Sequence, residues 1–128
     1  MTARTRITDV ATVGIPVVDQ DRALAFYRDQ LGFEIRMDGE FGGGRRWIEV
    51  AAPGSSTSLA LVQSDGDRPS GIDTGIRLAT GDAAADHRSL RERGVDVDAE
   101  VIPVPVPMFV FRDPDGNRLY VVERPATA

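Results

Sequence analysis

The chain has 128 residues, of which 41% are hydrophobic and 27% are charged, and its formal net charge is −5. These values are typical of one globular domain, and the negative charge disfavours a nucleic-acid partner because phosphate binding needs a basic surface. The absence of cysteine excludes disulfides, thiolate nucleophiles and cysteine metal sites. We find neither a stretch of about 18 apolar residues nor the apolar core of a signal peptide, so we expect a cytoplasmic protein without a membrane span.

The first half of the chain is predicted to form a strand, a helix and three further strands. Val13, Ile15 and Val17 alternate as one face of a half-buried strand. Asp19 is a suitable N-cap for a helix, and Gly32 supplies its C-terminal end. The remaining strands are predicted at residues 33–37, 47–51 and 58–63.

The second half repeats this order of elements. Its helix is predicted over residues 82–93 and ends at Gly94, and the segment 64–73 is predicted to be the linker between the halves. Its strands are predicted at residues 75–79, 95–102, 108–112 and 118–123. We therefore predict a single domain over residues 1–128 that contains two repeats, 8–63 and 74–124.

Three segments carry a resemblance to a known family. They are residues 13–19 (VGIPVVD), 22–33 (RALAFYRDQLGF) and 112–120 (RDPDGNRLY). Together they resemble the vicinal oxygen chelate superfamily, which includes glyoxalases, extradiol dioxygenases, fosfomycin-modifying enzymes and bleomycin-binding proteins. The resemblance implies an α+β fold, in which two βαβββ modules form a curled, cup-shaped mixed sheet with the helices outside.

Strand alternation predicts which side chains face the cup. If the aliphatic side chains of each strand face the helices, the intervening residues face the cup. This rule places five candidate residues in the cup: Thr12, Trp47, Glu49, Arg77 and Tyr120. The faces of Met108, Phe109 and Phe111 stay open, because they depend on a hairpin register that the sequence does not fix.

The resemblance also bears on a metal centre. Most enzymes of the superfamily hold a divalent metal with His, Gln or Glu at four strand positions, which the resemblance places at Thr12, Ala60, Gly75 and Tyr120. These side chains cannot supply the converging imidazole and carboxylate ligands that such a metal needs. We therefore expect a member of the superfamily without a metal or another cofactor.

Glu49 and Arg77 are the polar candidates in an otherwise apolar cup. They are expected to form an ion pair with each other, although Arg77 is also suited to an anionic or carbonyl group of a ligand. Glu49 is the one weak catalytic candidate, as a general base, if burial raises its pKa. His87 lies on the apolar stripe of the second helix and is predicted to be structural, and the turn at residues 113–117 is predicted to be structural as well.

Two functions remain open from the sequence. The first is metal-independent binding of a small hydrophobic or aromatic molecule, including antibiotic sequestration or a natural-product pathway role. Its predicted ligand-binding residues are Thr12, Trp47, Glu49, Arg77, Met108, Phe109 and Tyr120. The alternative is a glyoxalase-like lyase or dioxygenase-type enzyme, acting with or without metal. For either function the resemblance implies a homodimer with shared crevices.

Overall fold

The structure of the chain is a computed structural model that describes residues 4–124. The first module contains β1 (Thr12–Val17), α1 (Gln20–Ala25), a π-helical continuation (Phe26–Gln30), β2 (Glu34–Glu40), β3 (Arg46–Ala51) and β4 (Ser58–Gln63). The second module contains β5 (Asp73–Thr80), α2 (Ala83–Glu92), β6 (Asp96–Val97), β7 (Met108–Arg112) and β8 (Arg118–Glu123). No helix within the described residues is long and apolar enough to cross a membrane.

Each module forms its own four-stranded sheet. The strand order is β1-β4-β3-β2 in the first sheet and β5-β8-β7-β6 in the second. The first pair of each order is parallel and the others are antiparallel, so both sheets are mixed. The predicted α+β fold with two βαβββ modules is confirmed. The sheets remain open and separate over residues 4–124, and β1 and β5 lie at their edges.

Both helices begin and end where the sequence predicts. The Asp19 carboxylate accepts the N–H of Arg22 at 3.0 Å, and the Asp82 carboxylate accepts the N–H of Ala85 at 3.0 Å. These contacts satisfy N–H groups that have no partner inside the helix. Gly32 and Gly94 then adopt φ angles of 75° and 82°, which end the helices because other residues rarely adopt such angles.

The two modules share one hydrophobic core. The helices pack on one face of each sheet, and the ring of Phe26 lies 6.2 Å from that of Phe111 in the other module. The largest fully buried apolar side chains of this core are Ile15, Val17, Tyr27, Ile48, Val50, Leu61, Phe109, Phe111 and Leu119. The opposite face of each sheet, which we call the open face, carries the alternate residues of each strand.

A turn at residues 113–117, which we call the junction turn, joins the modules. Asn117 is fully buried, and its amide N–H group donates to the carbonyl oxygen of Pro16 at 2.7 Å and to the Asp113 carboxylate at 3.0 Å. Its amide oxygen accepts the backbone N–H groups of linker residues 71–72 at 2.8 and 3.0 Å. One side chain therefore connects the second module, the linker and β1.

Tyr27 reaches the same turn from the first module. Its hydroxyl donates to the Asp113 carboxylate at 2.9 Å, and its side chain has no exposed surface. Burial, followed by the charge of Asp113, raises the pKa of Tyr27 well above its ordinary value. The sequence analysis predicted a turn here, but nothing in the sequence indicated that the turn docks against the first module.

The structure corrects one predicted strand. Residues 95–102 were expected to form a strand, but β6 spans only Asp96–Val97, and Ile102 forms a single bridge to Met108. The following segment, residues 103–107, contains three prolines. Proline has no N–H to donate to a sheet, so continuous pairing ends before this segment.

Candidate ligand-binding site on the open face

The structure distributes the seven predicted ligand-binding residues over three places. The open face of the first sheet carries Thr12, Trp47 and Glu49. The open face of the second sheet carries Arg77, Met108 and Tyr120. Phe109 lies in the shared core. The candidate residues therefore form two groups within one chain.

The strand register settles the position of Phe109, which the sequence left open. Phe109 pairs with Val121, is 1% exposed and packs edge-on against His87 at 5.1 Å. It therefore belongs to the core and not to the ligand-contacting set. Met108, one residue earlier, points to the open face. His87 is buried and its Nε2 lies 2.7 Å from the carbonyl oxygen of Asp98, so its predicted structural position is confirmed.

A hydrogen-bonded network surrounds Glu49. The indole Nε1 of Trp47 donates to Glu49 Oε2 at 2.7 Å, and the Ser58 hydroxyl donates to Oε1 at 2.5 Å. Thr12 Oγ1 lies 3.2 Å from Ser58 Oγ. Either hydroxyl can donate in that contact, and the Thr12 hydroxyl also contributes to lowering the pKa of Glu49. Strand alternation predicted that Thr12, Trp47 and Glu49 share this face, but the contact of Ser58 with Glu49 was not predicted.

This network determines the charge state of Glu49. The hydrogen bond from Ser58, followed by that from Trp47, lowers the pKa of the carboxyl group, and these effects outweigh desolvation. The expectation that burial raises this pKa is therefore wrong. An ionised, hydrogen-bonded carboxylate with a lowered pKa is a weak general base near neutral pH, so the geometry suits recognition better than proton transfer.

The expected ion pair between Glu49 and Arg77 is also absent. The two side chains lie on different sheets, and none of the salt bridges among residues 4–124 joins them. The Arg77 guanidinium instead lies 4.6 Å from the ring centroid of Tyr120 and donates to the carbonyl oxygen of Gly75 at 2.8 Å. Strand alternation indicated the face of each residue but not the relation between the two sheets.

Tyr120 belongs to a second polar group on the open face of the second sheet. Its hydroxyl donates to Asp73 Oδ2 at 2.7 Å. This hydrogen bond raises the pKa of Tyr120 and lowers that of Asp73. Tyr120 is therefore held neutral beside the Arg77 guanidinium.

Two neighbouring cavities lie near the open face of the first sheet, and Trp47 lines the first of them. The first, of about 520 Å³, includes Phe41 and Trp47, whose rings meet edge-on with centroids 6.1 Å apart. The second, of about 400 Å³, includes Gly14 and Pro16 of β1 and linker residues 67–69 and 72. Both cavities include Val62 and Arg68. Their volumes are in the range of small-molecule sites, which is roughly 300–1,000 Å³.

A larger groove of about 850 Å³ lies between the modules, along β5. It includes helix-facing aliphatic side chains such as Val13, Leu59, Ile76 and Leu78. Arg77 is the one predicted ligand-binding residue that lines it, and Trp47 does not. We therefore interpret this groove as incomplete packing between the modules and place the candidate site beside Trp47.

The four positions that hold a metal in most enzymes of the superfamily do not fit a metal here. Ala60 and Gly75 have no side-chain atom that can coordinate a metal. The hydroxyl groups of Thr12 and Tyr120 are hydrogen-bonded to Ser58 and Asp73, respectively. Within residues 4–124 no group of three or more His, Cys, Asp or Glu side chains is placed to share an ion. We therefore derive no chemical step through a metal.

Comparison with known proteins identifies the family. Residues 9–121 match the model of the Glyoxalase/Bleomycin resistance protein/Dioxygenase superfamily. The chain belongs to this superfamily, as the sequence motifs predicted. It is also 29% identical over 113 residues to YetH, an uncharacterised protein of Bacillus subtilis, and this match covers 87% of our chain and 94% of YetH.

Solved structures provide closer relatives. TnmS3, described as an antibiotic binding protein from Streptomyces sp. CB03234, is 36% identical, with a TM-score of 0.84 over 96% of our chain and 100% of TnmS3. A superfamily member from Sphaerobacter thermophilus is also 36% identical, with a TM-score of 0.86 over 94% of our chain and 100% of that chain.

Proposed function

We propose that this protein binds a small, largely apolar aromatic molecule and releases it chemically unchanged, without a metal. The observation that carries this proposal is the position of Trp47. Its ring borders a cavity of about 520 Å³ on the open face, where it meets Phe41 and lies next to the second cavity. The likeness to TnmS3, an antibiotic binding protein, supports the same interpretation.

The side chains around these cavities suit a flat ring. Trp47, Phe41, Val62 and Pro16 provide apolar surface, and Gly14 provides space because it has no side chain. A stacked or edge-on aromatic contact contributes roughly 0.5–1.5 kcal/mol beyond the area that it buries. Micromolar affinity corresponds to about −8 kcal/mol, so most of it has to come from burial of the ligand's apolar surface, with these contacts adding to it.

We further propose that two copies of the chain complete the site. Each sheet is open at both edges, with β1 and β2 at the edges of the first sheet and β5 and β6 at those of the second, and an exposed edge of this kind is usually covered in a stable protein. The two groups of candidate residues lie on separate open faces, so a second copy supplies the half that one chain lacks. Light scattering after gel filtration should give twice the mass of the chain, and a strictly monomeric protein would contradict this part of the proposal.

Sequestration of an antibiotic in the cytoplasm is the specific role that we favour. Stoichiometric binding needs a cavity and an apolar surface but no catalytic group, and the lowered pKa of Glu49 agrees with that. A cell that expresses the protein should tolerate more of the bound compound, in proportion to the amount of protein produced.

The first test uses the single tryptophan of the sequence. Polycyclic aromatic antibiotics are screened by thermal shift, and the fluorescence of Trp47 then reports directly on binding. A ligand present at about 100 times its Kd stabilises the folded protein by roughly 2.7 kcal/mol.

Phe41→Ala should weaken binding about tenfold with the fold intact, since it removes one wall of the cavity. Ile35→Ala is the matched control, because Ile35 is a partly exposed apolar residue on the other face of the same sheet.

Three results would overturn the proposal. Strong stabilisation by a divalent metal alone would restore the enzyme interpretation. Consumption of a bound compound by the wild type, lost in Glu49→Gln while binding persists, would assign Glu49 a catalytic role. Equal binding by the wild type and Phe41→Ala would move the site away from Trp47.

A further inference from the structure

Glu49 differs from the buried carboxylate of Asp113 in one respect. The Asp113 carboxylate is 5% exposed and accepts four hydrogen bonds, from Tyr27, from the Asn117 amide and from the backbone N–H groups of residues 115 and 117. The Glu49 carboxylate is half-buried and accepts one hydrogen bond on each oxygen. A carboxylate has about four acceptor positions, so Glu49 has acceptor capacity left.

Glu49 also has no positively charged partner within the described residues. The salt bridges of the chain involve Asp21, Asp29, Glu34, Asp38, Asp96, Asp98 and Asp115, but not Glu49. A charge that is partly removed from water is costly unless it is paired. The neutral donors Ser58 and Trp47 fix the orientation of the carboxylate but do not neutralise it.

Trp47 adds a second attraction for a positive charge. Its N–H is bonded to Glu49, so the indole ring is held beside the carboxylate. The face of an indole attracts a cation through its quadrupole. The net charge of −5 favours the approach of a cation over that of an anion.

We propose that the open face of the first sheet recognises a protonated amine carried by an aromatic ligand. The ammonium group donates to Glu49, and the ring of the ligand packs against Trp47 and occupies the neighbouring cavities. This inference rests on the proposed function, because it names the chemical class of the ligand for the same site. It assigns Glu49 a role in binding and none in catalysis.

Three arginines border the cavity beside Trp47, and since Arg46 is paired with Asp21 and Asp38, the other two make the opposite prediction and must be tested as well. Arg45 and Arg68 border the cavity beside Trp47, and both lie within electrostatic reach of Asp65. If these guanidinium groups dominate, the site prefers an anion. A set of probes that differ only in charge therefore decides between Glu49 and the arginines.

The experiment compares three naphthalene derivatives: 1-naphthylmethylamine, 1-naphthylmethanol and 1-naphthoate. Each is titrated at pH 7.5 into ¹⁵N-labelled protein, and the single indole N–H signal of Trp47 reports on the site. We expect the amine to bind at least about tenfold more tightly than the alcohol, since a charge-assisted hydrogen bond is worth roughly 1.5–3 kcal/mol. We expect the naphthoate to bind most weakly.

Glu49→Gln keeps the shape of the side chain and removes its charge. This variant should lose most of the preference for the amine over the alcohol, with a much larger loss of affinity for the amine than for the alcohol. The matched control is Glu40→Gln, because Glu40 is an exposed residue of β2 that alternates with Gly39, the partner of Trp47, and so points to the opposite face. It should retain the full preference for the amine.

The outcomes separate this inference from the proposed function. Equal affinity of the wild type for amine and alcohol, unchanged in Glu49→Gln, overturns the amine inference and leaves aromatic binding intact. Preference for the naphthoate overturns it in favour of the arginines. If none of the three probes shifts the Trp47 signal at millimolar concentration, the proposed aromatic site itself is wrong.

Discussion

The junction turn and the Glu49 network both place a carboxylate among neutral hydrogen-bond donors. The carboxylates of Asp113 and Glu49 differ in how many of their acceptor positions are filled. At the junction turn, Asp113 and Asn117 have their hydrogen-bonding capacity filled by protein atoms, and Asn117 is fully buried. On the open face, Glu49 is half-buried and keeps unused acceptor positions. Buried polar groups that serve the fold are normally satisfied within it.

This difference separates a structural polar site from a recognition site. A carboxylate that is completely satisfied gains nothing from a ligand, and its loss affects stability. A carboxylate that is oriented but incompletely satisfied gains from a ligand, and its loss affects binding more than stability. Substitutions in the two regions should therefore change different measured quantities.

The largest loss of stability is expected from a substitution at the centre of the junction turn. Asn117→Ala removes four hydrogen bonds and leaves the carbonyl oxygen of Pro16 and the N–H groups of residues 71–72 without their partner. We expect a loss of about 3 kcal/mol in the free energy of unfolding, since each buried unsatisfied group costs roughly 1–3 kcal/mol. Urea denaturation measures this loss. Gln63→Ala is the control: its amide bonds to the carbonyl oxygen of Val18 at the surface, so a comparable loss there would contradict the distinction.

A smaller loss of stability is expected when a single hydroxyl group is removed. Tyr27→Phe removes the buried hydrogen bond to Asp113 and should lower the free energy of unfolding by about 1–2 kcal/mol. Tyr120→Phe removes an exposed tyrosine–aspartate hydrogen bond of similar length and should cost less than about 0.5 kcal/mol. Equal losses of stability in the two variants, measured by thermal or urea unfolding, would show that burial does not determine how much this hydrogen bond contributes to stability.

The smallest expected effect is a change in how the stability of the fold depends on pH. The pKa of Glu49 is lowered in the folded protein, so its contribution to stability is complete above its ordinary pKa of 4.5 and is lost as the pH falls through the lowered value. Glu49→Gln should therefore lose stability less steeply than the wild type on acidification below that pH. Ser58→Ala removes the largest cause of the shift and should reduce the slope in the same direction. An identical slope in all three proteins would mean that the network does not hold the charge of Glu49.

Much of the fold could be predicted from local sequence signals. Asp19 and Asp82 mark the helix starts, and Gly32 and Gly94 mark the ends, because caps and positive φ angles depend on a few adjacent residues. The α+β repeat and the family also followed from the sequence. The strand predicted at residues 95–102 did not, since only Asp96–Val97 pairs continuously and Ile102 forms a single bridge just before the prolines of residues 103–107.

The candidate site was less predictable because it depends on relations between distant strands. Alternation gave the faces of Trp47 and Glu49, but it could not show that Ser58 donates to Glu49 or that Arg77 lies on a separate sheet. The position of Phe109 depended on the register of β7 against β8. Each of these facts is set by the pairing of strands far apart in the sequence.

The attachment of the linker to Asn117 has a consequence for the kinetics of binding. Linker residues Arg68 and Ile72 form part of the cavity wall. The Asp65 carboxylate accepts the N–H groups of residues 67–68, and Asn117 accepts those of residues 71–72. The wall is thus fixed at both ends before a ligand arrives, and binding requires little ordering of the chain. A preorganised site of this kind loses little conformational entropy on association, so ligands should enter quickly and differ in affinity mainly through their rates of dissociation.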